Sequence, residues 1–239
     1  MIVDIFIPCY IDQFYPKVAE ATIRILEKVG CGVNYNPEQT CCGQPAFNAG
    51  HNEACKEVGE KFIKDFATDN YIVVPSASCV GMIKNYYPSF FTNTLLHHEY
   101  NKLRKNIFEL SDFLVNVLHI TDLGSRLEGK AVFHESCAAN REIKKLNEMK
   151  LLLKSVRGLE LLEVNNREDC CGFGGTFSIK NPAIASGMAQ DKMKDVMLSG
   201  AEYVISSDSS CLMHLESFAK KQKQKINFLH LAEVLASGI

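Results

Sequence analysis

The sequence lacks the features that mark membrane proteins and nucleic-acid-binding proteins. No apolar run approaches the roughly 18 residues that a membrane-spanning helix needs. Lysine and arginine (26) nearly balance aspartate and glutamate (28), so the net charge of −2 attracts neither nucleic acid nor an acidic membrane surface. Tryptophan is absent, which removes one kind of interface anchor. These absences predict a soluble protein with no nucleic-acid partner and no membrane span.

The N-terminal stretch also lacks what a secretory signal peptide needs. Residues 1–8 carry no basic side chain, and Asp4 interrupts their apolar run. We therefore predict a β-strand at this end and a cytoplasmic protein. Because the cytosol is reducing, its ten cysteines are expected to be metal ligands or redox groups and not a disulfide framework.

Cysteine is what the sequence has in excess, and its positions are duplicated. Eight of the ten cysteines form two sets of four, each with a Cys-Cys-Gly flanked by one cysteine far upstream and one far downstream. The first set is Cys9, Cys41, Cys42 and Cys79, and the second set is Cys137, Cys170, Cys171 and Cys211. Corresponding members lie 128, 129 or 132 residues apart. A period this far above the roughly 20–50 residues of solenoids predicts a duplicated domain.

Strand and helix patterns alternate along both halves. Short apolar runs such as residues 2–8 and 71–75 end just before a cysteine, and apolar residues recur at helical spacing between them, as over 18–29. This alternation predicts an α/β fold. We expect two tandem, pseudo-repeated, doubly wound (Rossmann-like) domains with parallel sheets, over residues 1–122 and 129–239.

Three finer predictions concern the stretches between the strands. Residues 80–107 are expected to be irregular with short helices, and residues 122–129 are expected to form a linker. Residues 142–156 have the pattern of a charged helix with Leu151, Leu152 and Val156 facing the core.

The cysteine positions predict two metal or cluster sites. Sites in open parallel sheets form beyond the carboxyl ends of the strands, and Cys9, Cys79 and their counterparts follow directly on strands. Four thiolates suit tetrahedral zinc or an iron–sulfur cluster. Gly43 and Gly172 give the backbone the freedom to turn both adjacent sulfurs towards one centre. Inert buried cysteines and disulfide pairing within each set are the alternatives that the residues leave open.

These motifs give the chain a resemblance to a known family. The stretches that carry it are 26–31 (LEKVGC), 41–45 (CCGQP), 156–162 (VRGLELL), 170–178 (CCGFGGTFS) and 230–235 (HLAEVL). Over nearly its whole length the chain resembles the CCG (cysteine-rich) domain family, found in heterodisulfide reductase and in the iron–sulfur subunits of glycolate oxidase and anaerobic glycerol-3-phosphate dehydrogenase. It looks most similar to the stand-alone members with two CCG domains.

The resemblance implies an iron–sulfur electron-transfer subunit of a three-protein L-lactate oxidation (lactate utilisation) complex. The expected partners are the other subunits, including a ferredoxin-like iron–sulfur subunit. The chain would belong to an oxidoreductase without holding a complete active site, since it shows no nucleophile–base pair and no GxGxxG motif. A zinc-stabilised scaffold and a thiol–disulfide redox protein are the alternative functions.

The family also implies the ligands. Cys9, Cys41, Cys42 and Cys79 match one set of cluster ligands, and Cys137, Cys170, Cys171 and Cys211 match the other. The heterodisulfide reductase pattern ends in C-x-x-C, which supplies a fifth cysteine per set and a non-cubane cluster. Ser76 and Asp208 stand in the place of that fifth cysteine here. The departure favours an ordinary 4Fe–4S cluster in one or both sites, or zinc in one.

Several other side chains near the two sets are candidates for lesser roles. Asp208 is a candidate oxygen ligand, although a turn or helix cap is the preferred interpretation, and Ser76 is less suited to ligation. His134 and His214 are candidates to enter a metal site or to donate protons, although a hydrogen-bonded neighbour of the site is the preferred interpretation for each. Cys31 and Cys55 fall outside the duplication and are expected to be structural. The basic run at 220–225 is expected to be a solvated helix face.

Overall fold

Two parallel sheets with helices around them form the protein, as the alternating pattern predicts. A computed structural model describes residues 1–165 and 168–238. The first sheet comprises Ile2–Ile5 (β1), Gly32–Tyr35 (β2), Tyr71–Val74 (β3) and Ile107–Glu109 (β4), and the second comprises Arg126–Phe133 (β5), Arg157–Leu162 (β6), Tyr203–Ser206 (β7) and Asn227–His230 (β8). The strand orders are β2-β1-β3-β4 and β6-β5-β7-β8, with every pair parallel. This shared order confirms two tandem Rossmann-like repeats.

Helices connect the strands in both halves. In the first half they are Cys9–Phe14 (α1), Pro16–Lys28 (α2), Gln44–Asn48 (α3), Asn52–Asp65 (α4), Ala77–Gly81 (α5), Pro88–Phe91 (α6), His97–Asn106 (α7) and Leu110–Asp112 (α8). In the second half they are Leu146–Lys154 (α9), Phe177–Lys180 (α10), Pro182–Leu198 (α11), Ser209–Lys221 (α12) and Leu231–Leu235 (α13). π-helical turns cover Met82–Tyr86, Phe113–Val117 and Ala138–Glu142. No helix in the described parts of the chain is both long and apolar enough to cross a bilayer.

Two of the four edge strands, β4 and β8, are not predicted by the sequence pattern. β4 has only three residues, and it begins at the end of the stretch 80–107 that we expected to be irregular; α8 begins immediately after it. β8 is exposed or half-buried at three of its four positions. An edge strand needs no continuous apolar run because one of its sides borders solvent, so its sequence signal is weak.

Two predicted element limits are wrong by a few residues. The helix expected over 142–156 is α9, and the chain before it turns as a π-helix up to Glu142. Leu152 and Val156 are buried as predicted, but Leu151 is 43% exposed, because one residue rotates a helical side chain by roughly 100°. The linker expected over 122–129 is shorter, since β5 begins at Arg126.

The largest hydrophobic core runs through both halves. It contains Ile5 and Val73 from the first sheet together with Phe133 and Ile205 from the second. The last helix of each half packs on a long helix of the other half, α13 on α2 and α8 on α9. The two halves are therefore locked in one relative orientation, and the domain limits at residues 122 and 129 stay a prediction.

Candidate metal centre

In each set, the two cysteines outside the Cys-Cys-Gly motif follow the two central strands of their sheet. Cys9 begins α1 shortly after β1, and Cys79 lies in α5 after β3. In the second sheet, Cys137 follows β5, and Cys211 lies in α12 after β7. Neighbouring parallel strands end at the same sheet edge, so these cysteines converge at one point in each half.

In the first set, the sulfurs form a continuous chain of contacts. The Sγ atoms of Cys9 and Cys41 lie 3.7 Å apart, and those of Cys42 and Cys79 lie 3.4 Å apart. The adjacent Cys41 and Cys42 thiols interact as well, and this interaction lowers the pKa of Cys41. Residues up to 70 positions apart in sequence thus form one four-sulfur cluster.

The second set repeats this arrangement. The Sγ atoms of Cys171 and Cys211 are 3.1 Å apart. Cys137 and Cys171 both interact with Cys170 and lower its pKa. All ten cysteines are free thiols. The structure therefore brings together each predicted set of four, and neither set pairs as disulfides.

The Cys-Cys-Gly turns owe their shape to glycine. Gly43 and Gly172 have φ of +81° and +93°, and each donates its N–H to the sulfur of the first cysteine of its motif at 3.4 Å. A Cβ on Gly172 would lie 2.8 Å from the carbonyl oxygen of Ala185. A Cβ on Gly43 would lie 3.2 Å from the Cys55 sulfur. The buried Cys55 therefore packs beneath the first turn, which supports its predicted structural role.

Both cysteine sets open onto a single cavity between the halves. The cavity measures about 170 Å³, and all eight cysteines contribute to its wall. Each set has two buried sulfurs, from Cys42 and Cys79 or Cys171 and Cys211, and two half-buried ones. The sequence predicts two sites but does not predict that they face each other.

Contacts between the thiols create one acidic cysteine in each set. Hydrogen bonds from the Cys42 and Cys9 thiols lower the pKa of Cys41 to about 3. Hydrogen bonds involving Cys137 and Cys171 lower the pKa of Cys170 to about 2. The pKa values of Cys9 and Cys137, which donate these bonds, are raised by the same contacts and by burial. Each set thus holds a thiolate beside thiols, and a bound cation would release the remaining protons.

The Asp208 side chain connects the two halves. Its carboxylate accepts hydrogen bonds from Ser76 Oγ and the Ser78 N–H, both at 3.0 Å, and from Ser136 Oγ. Asp208 is the N-cap residue of α12, as the preferred interpretation expects, but its side chain makes no capping hydrogen bond to that helix. Ser76 and Asp208, which replace the fifth cysteines, thus contact each other across the interface between the halves.

The histidines near the second set differ in their surroundings. His214 Nε2 contacts the Ala185 carbonyl oxygen at 3.2 Å, as expected of a hydrogen-bonded neighbour. His134 is buried and neither ring nitrogen has a hydrogen-bond partner, so the same prediction is wrong for it. Burial and the nearby Lys192 lower the pKa of His134 to about 3, which leaves its imidazole neutral. The lysines of the run at 220–225 are exposed, as predicted, but α12 ends at Lys221, so only the first two belong to a helix.

Other residues of the cavity wall carry no sequence signal. Tyr10 and Phe173 pack edge to face with ring centroids 5.5 Å apart, one ring from each half. Tyr86 and Glu142 also line the cavity, and burial is the main cause that raises the pKa of Glu142. These side chains meet only because the two halves pack together, so no local pattern indicates them.

Comparisons with known proteins agree with the geometry. The family model for the cysteine-rich domain (CCG) matches residues 3–84 and 131–216. Lactate utilization protein A from Halalkalibacterium halodurans is 41% identical over 235 residues, which cover 98% of this chain and 96% of that protein. The protein of the same name from Oceanobacillus iheyensis is 40% identical with the same coverage.

A solved structure shares the fold. The crystal structure of a hypothetical protein from Helicobacter pylori aligns with a TM-score of 0.67 at 12% identity. The alignment covers 100% of this chain and 49% of that chain. At this identity the likeness concerns the fold alone.

Proposed function

This chain belongs to the cysteine-rich (CCG) domain family, and on that basis we propose that it is an iron–sulfur electron-transfer subunit of an L-lactate oxidation complex. Relatives named for lactate utilisation match it over almost their full length, which supports a role in that process. Its partners would be the other subunits of the complex, including a ferredoxin-like iron–sulfur subunit.

The observation that carries the proposal is the pair of four-sulfur clusters on one cavity wall. Soft thiolates are the ligands that iron–sulfur clusters require, and each set lines the cavity with four of them, including closely spaced sulfur pairs. The ligands would be Cys9, Cys41, Cys42 and Cys79 in the first site and Cys137, Cys170, Cys171 and Cys211 in the second. A cluster bound there would accept and donate single electrons.

The chain's own residues prepare both sites for this role. The N–H groups of Gly43 and Gly172 donate to sulfur, and such bonds stabilise negative charge on the ligands. Asp208 holds the halves together beside the cavity. Since both sets line the same cavity, electrons would have a short path between them.

The cavity wall also explains why this chain would act as a subunit and not as a complete dehydrogenase. Among the described residues that line it, none carries a positive charge that could pair with the carboxylate of lactate. Asp208 and Glu142 would instead repel that carboxylate where they are ionised. We therefore propose that lactate binds to another subunit.

Anaerobic purification followed by iron and sulfide assay and EPR tests the proposal. We expect about four irons and four sulfides per filled site. Cys41→Ser should remove the signal of the first site and Cys170→Ser that of the second. Cys31→Ser, a buried cysteine outside both sets, is the matched control and should retain both.

The same preparation decides among the alternative functions. Zinc in both sites without sulfide would refute the electron-transfer role and favour a zinc-stabilised scaffold. Turnover of a disulfide substrate by metal-free protein would favour a thiol–disulfide redox protein. L-lactate-dependent dye reduction by the assembled complex should be lost in Cys41→Ser, which would connect the site to lactate oxidation.

A further inference from the structure

The two halves differ at one position directly behind the cysteines. Phe6 and His134 each follow the first strand of their sheet, 128 residues apart, the same offset as Cys9 and Cys137. Their backbones make equivalent hydrogen bonds, from Phe6 N–H to Val73 O at 3.0 Å and from His134 N–H to Ile205 O at 2.7 Å. The duplicated fold therefore offers a phenylalanine in the first half and a histidine at the same place in the second.

The phenylalanine has an ordinary packing role. Its ring is fully buried and packs edge to face on Phe62 and Phe66, with centroids 4.8 Å and 5.7 Å away. In the second half, the residue 130 positions after Phe62 is Lys192, which is also buried. His134, at the place of Phe6, thus has a buried lysine near it, where Phe6 has two aromatic rings.

The surroundings of His134 suit a metal ligand. It is 1% exposed, and neither ring nitrogen has a hydrogen-bond partner. An unsatisfied buried polar group costs roughly 1–3 kcal/mol, so native proteins rarely keep one without a reason. A ring nitrogen of His134 and the Sγ atoms of Cys171 and Cys211 all lie within 4.8 Å of one another. An imidazole binds a metal through the lone pair of one ring nitrogen, and both ring nitrogens of His134 lack a protein partner.

We propose that His134 is a nitrogen ligand of the second site, beside Cys171 and Cys211, whereas the first site is ligated by sulfur alone. This inference rests on the proposed function, because it assumes that the second set holds iron or zinc. Both metals accept mixed imidazole and thiolate ligands. Cys137 or Cys170 would supply the third sulfur of a four-ligand centre, so the imidazole replaces one thiolate of the set.

The mixed ligand set would make the two sites chemically unequal. A neutral imidazole in place of a thiolate lowers the negative charge of a cluster and raises its reduction potential. The second site would then be the electron acceptor of the pair and the first site the donor.

The test is a direct search for metal-bound nitrogen in anaerobically prepared protein. In the Cys41→Ser variant, where only the second site remains, pulsed EPR of an iron site should detect a directly bound ¹⁴N. X-ray absorption of a zinc site should show nitrogen at about 2.0–2.1 Å beside sulfur at about 2.3 Å. His134→Phe, which restores the residue of the first half, should abolish the nitrogen signal and weaken metal retention at least 10-fold, about the lower limit for losing even an outer-shell partner.

Two controls make the result decisive. His214→Gln alters a second histidine near Cys211 that is already bonded to Ala185, and it should leave the nitrogen signal unchanged. The wild-type spectrum does not depend on how any His134 variant folds. A second site that holds metal with sulfur ligands alone would overturn the inference and leave the proposed function standing. A protein that retains metal in neither site would overturn both.

Discussion

The Cys-Cys-Gly turn of the second half allows a quantitative prediction, through the substitution Gly172→Ala. The residue has a φ of +93°, and a Cβ would lie 2.8 Å from the Ala185 carbonyl oxygen and 3.0 Å from Met188 Cβ. Left-handed backbone costs an L-residue about 1–2 kcal/mol, and the forced shift of α11 adds about 1–3 kcal/mol. The loss of glycine's freedom in the unfolded chain offsets about 0.4–1 kcal/mol. We expect a net destabilisation of about 2–4 kcal/mol.

The effect should also be local to one site. The shift displaces the Gly172 N–H that donates to the Cys170 sulfur, so the second site should lose metal while the first retains it. Gly43→Ala should cost less, because its nearest contacts are the Cys55 sulfur at 3.2 Å and oxygen at 3.3 Å. Gly187→Ala is the matched control, since Gly187 lies within α11 with no atom within 4 Å of its added Cβ. It should stabilise the protein by about 0.5–1 kcal/mol.

Urea denaturation of the metal-free proteins under reducing, anaerobic conditions measures these differences. The midpoints should rank Gly187→Ala above wild type, then Gly43→Ala, then Gly172→Ala, with an unchanged m-value. Iron and zinc assays before denaturation report which site is lost. If Gly172→Ala stayed within about 0.5 kcal/mol of wild type and kept the metal of its site, the close packing argument for the turn would be refuted.

Three further predictions concern buried ionisable side chains. Asp208→Ala leaves the Ser76 and Ser136 hydroxyls without their acceptor. In urea denaturation it should destabilise the protein by about 2–5 kcal/mol, more than Ser136→Ala does. Equal effects of the two substitutions would contradict the bridging role of Asp208. Burial raises the pKa of Glu109 from 4.5 to about 8, so the folded state binds more protons than the unfolded state between these values. Stability should therefore fall from about pH 4.5 to about pH 8, and Glu109→Gln should make that fall shallower; an identical slope would contradict the assignment. Lys192→Met removes a buried cation near Cys171 and Cys211 and should lower the reduction potential of the second site in an EPR redox titration, whereas Lys192→Arg should not.

The proposed asymmetry between the two sites depends on the surroundings of His134, which only the folded structure shows. In sequence, His134 stands three residues before a cysteine, where an imidazole commonly plays a supporting role. Its backbone equivalence to Phe6 and its unpartnered ring depend on the fold. Lys192 gives even less signal in sequence, because a lysine on a helix is ordinarily solvated.

The sequence by itself determined the α/β class, the duplication and the membership of each cysteine set. These features are local or periodic: an apolar run that ends at Cys9 or Cys79 specifies a buried strand with its cysteine at the sheet edge, wherever the rest of the chain lies. The tertiary structure alone decided that both sets share one cavity, that Asp208 meets Ser76, and that β4 and β8 complete the sheets. These features depend on the packing of α13 on α2 and α8 on α9, contacts between residues far apart in sequence that no local pattern encodes.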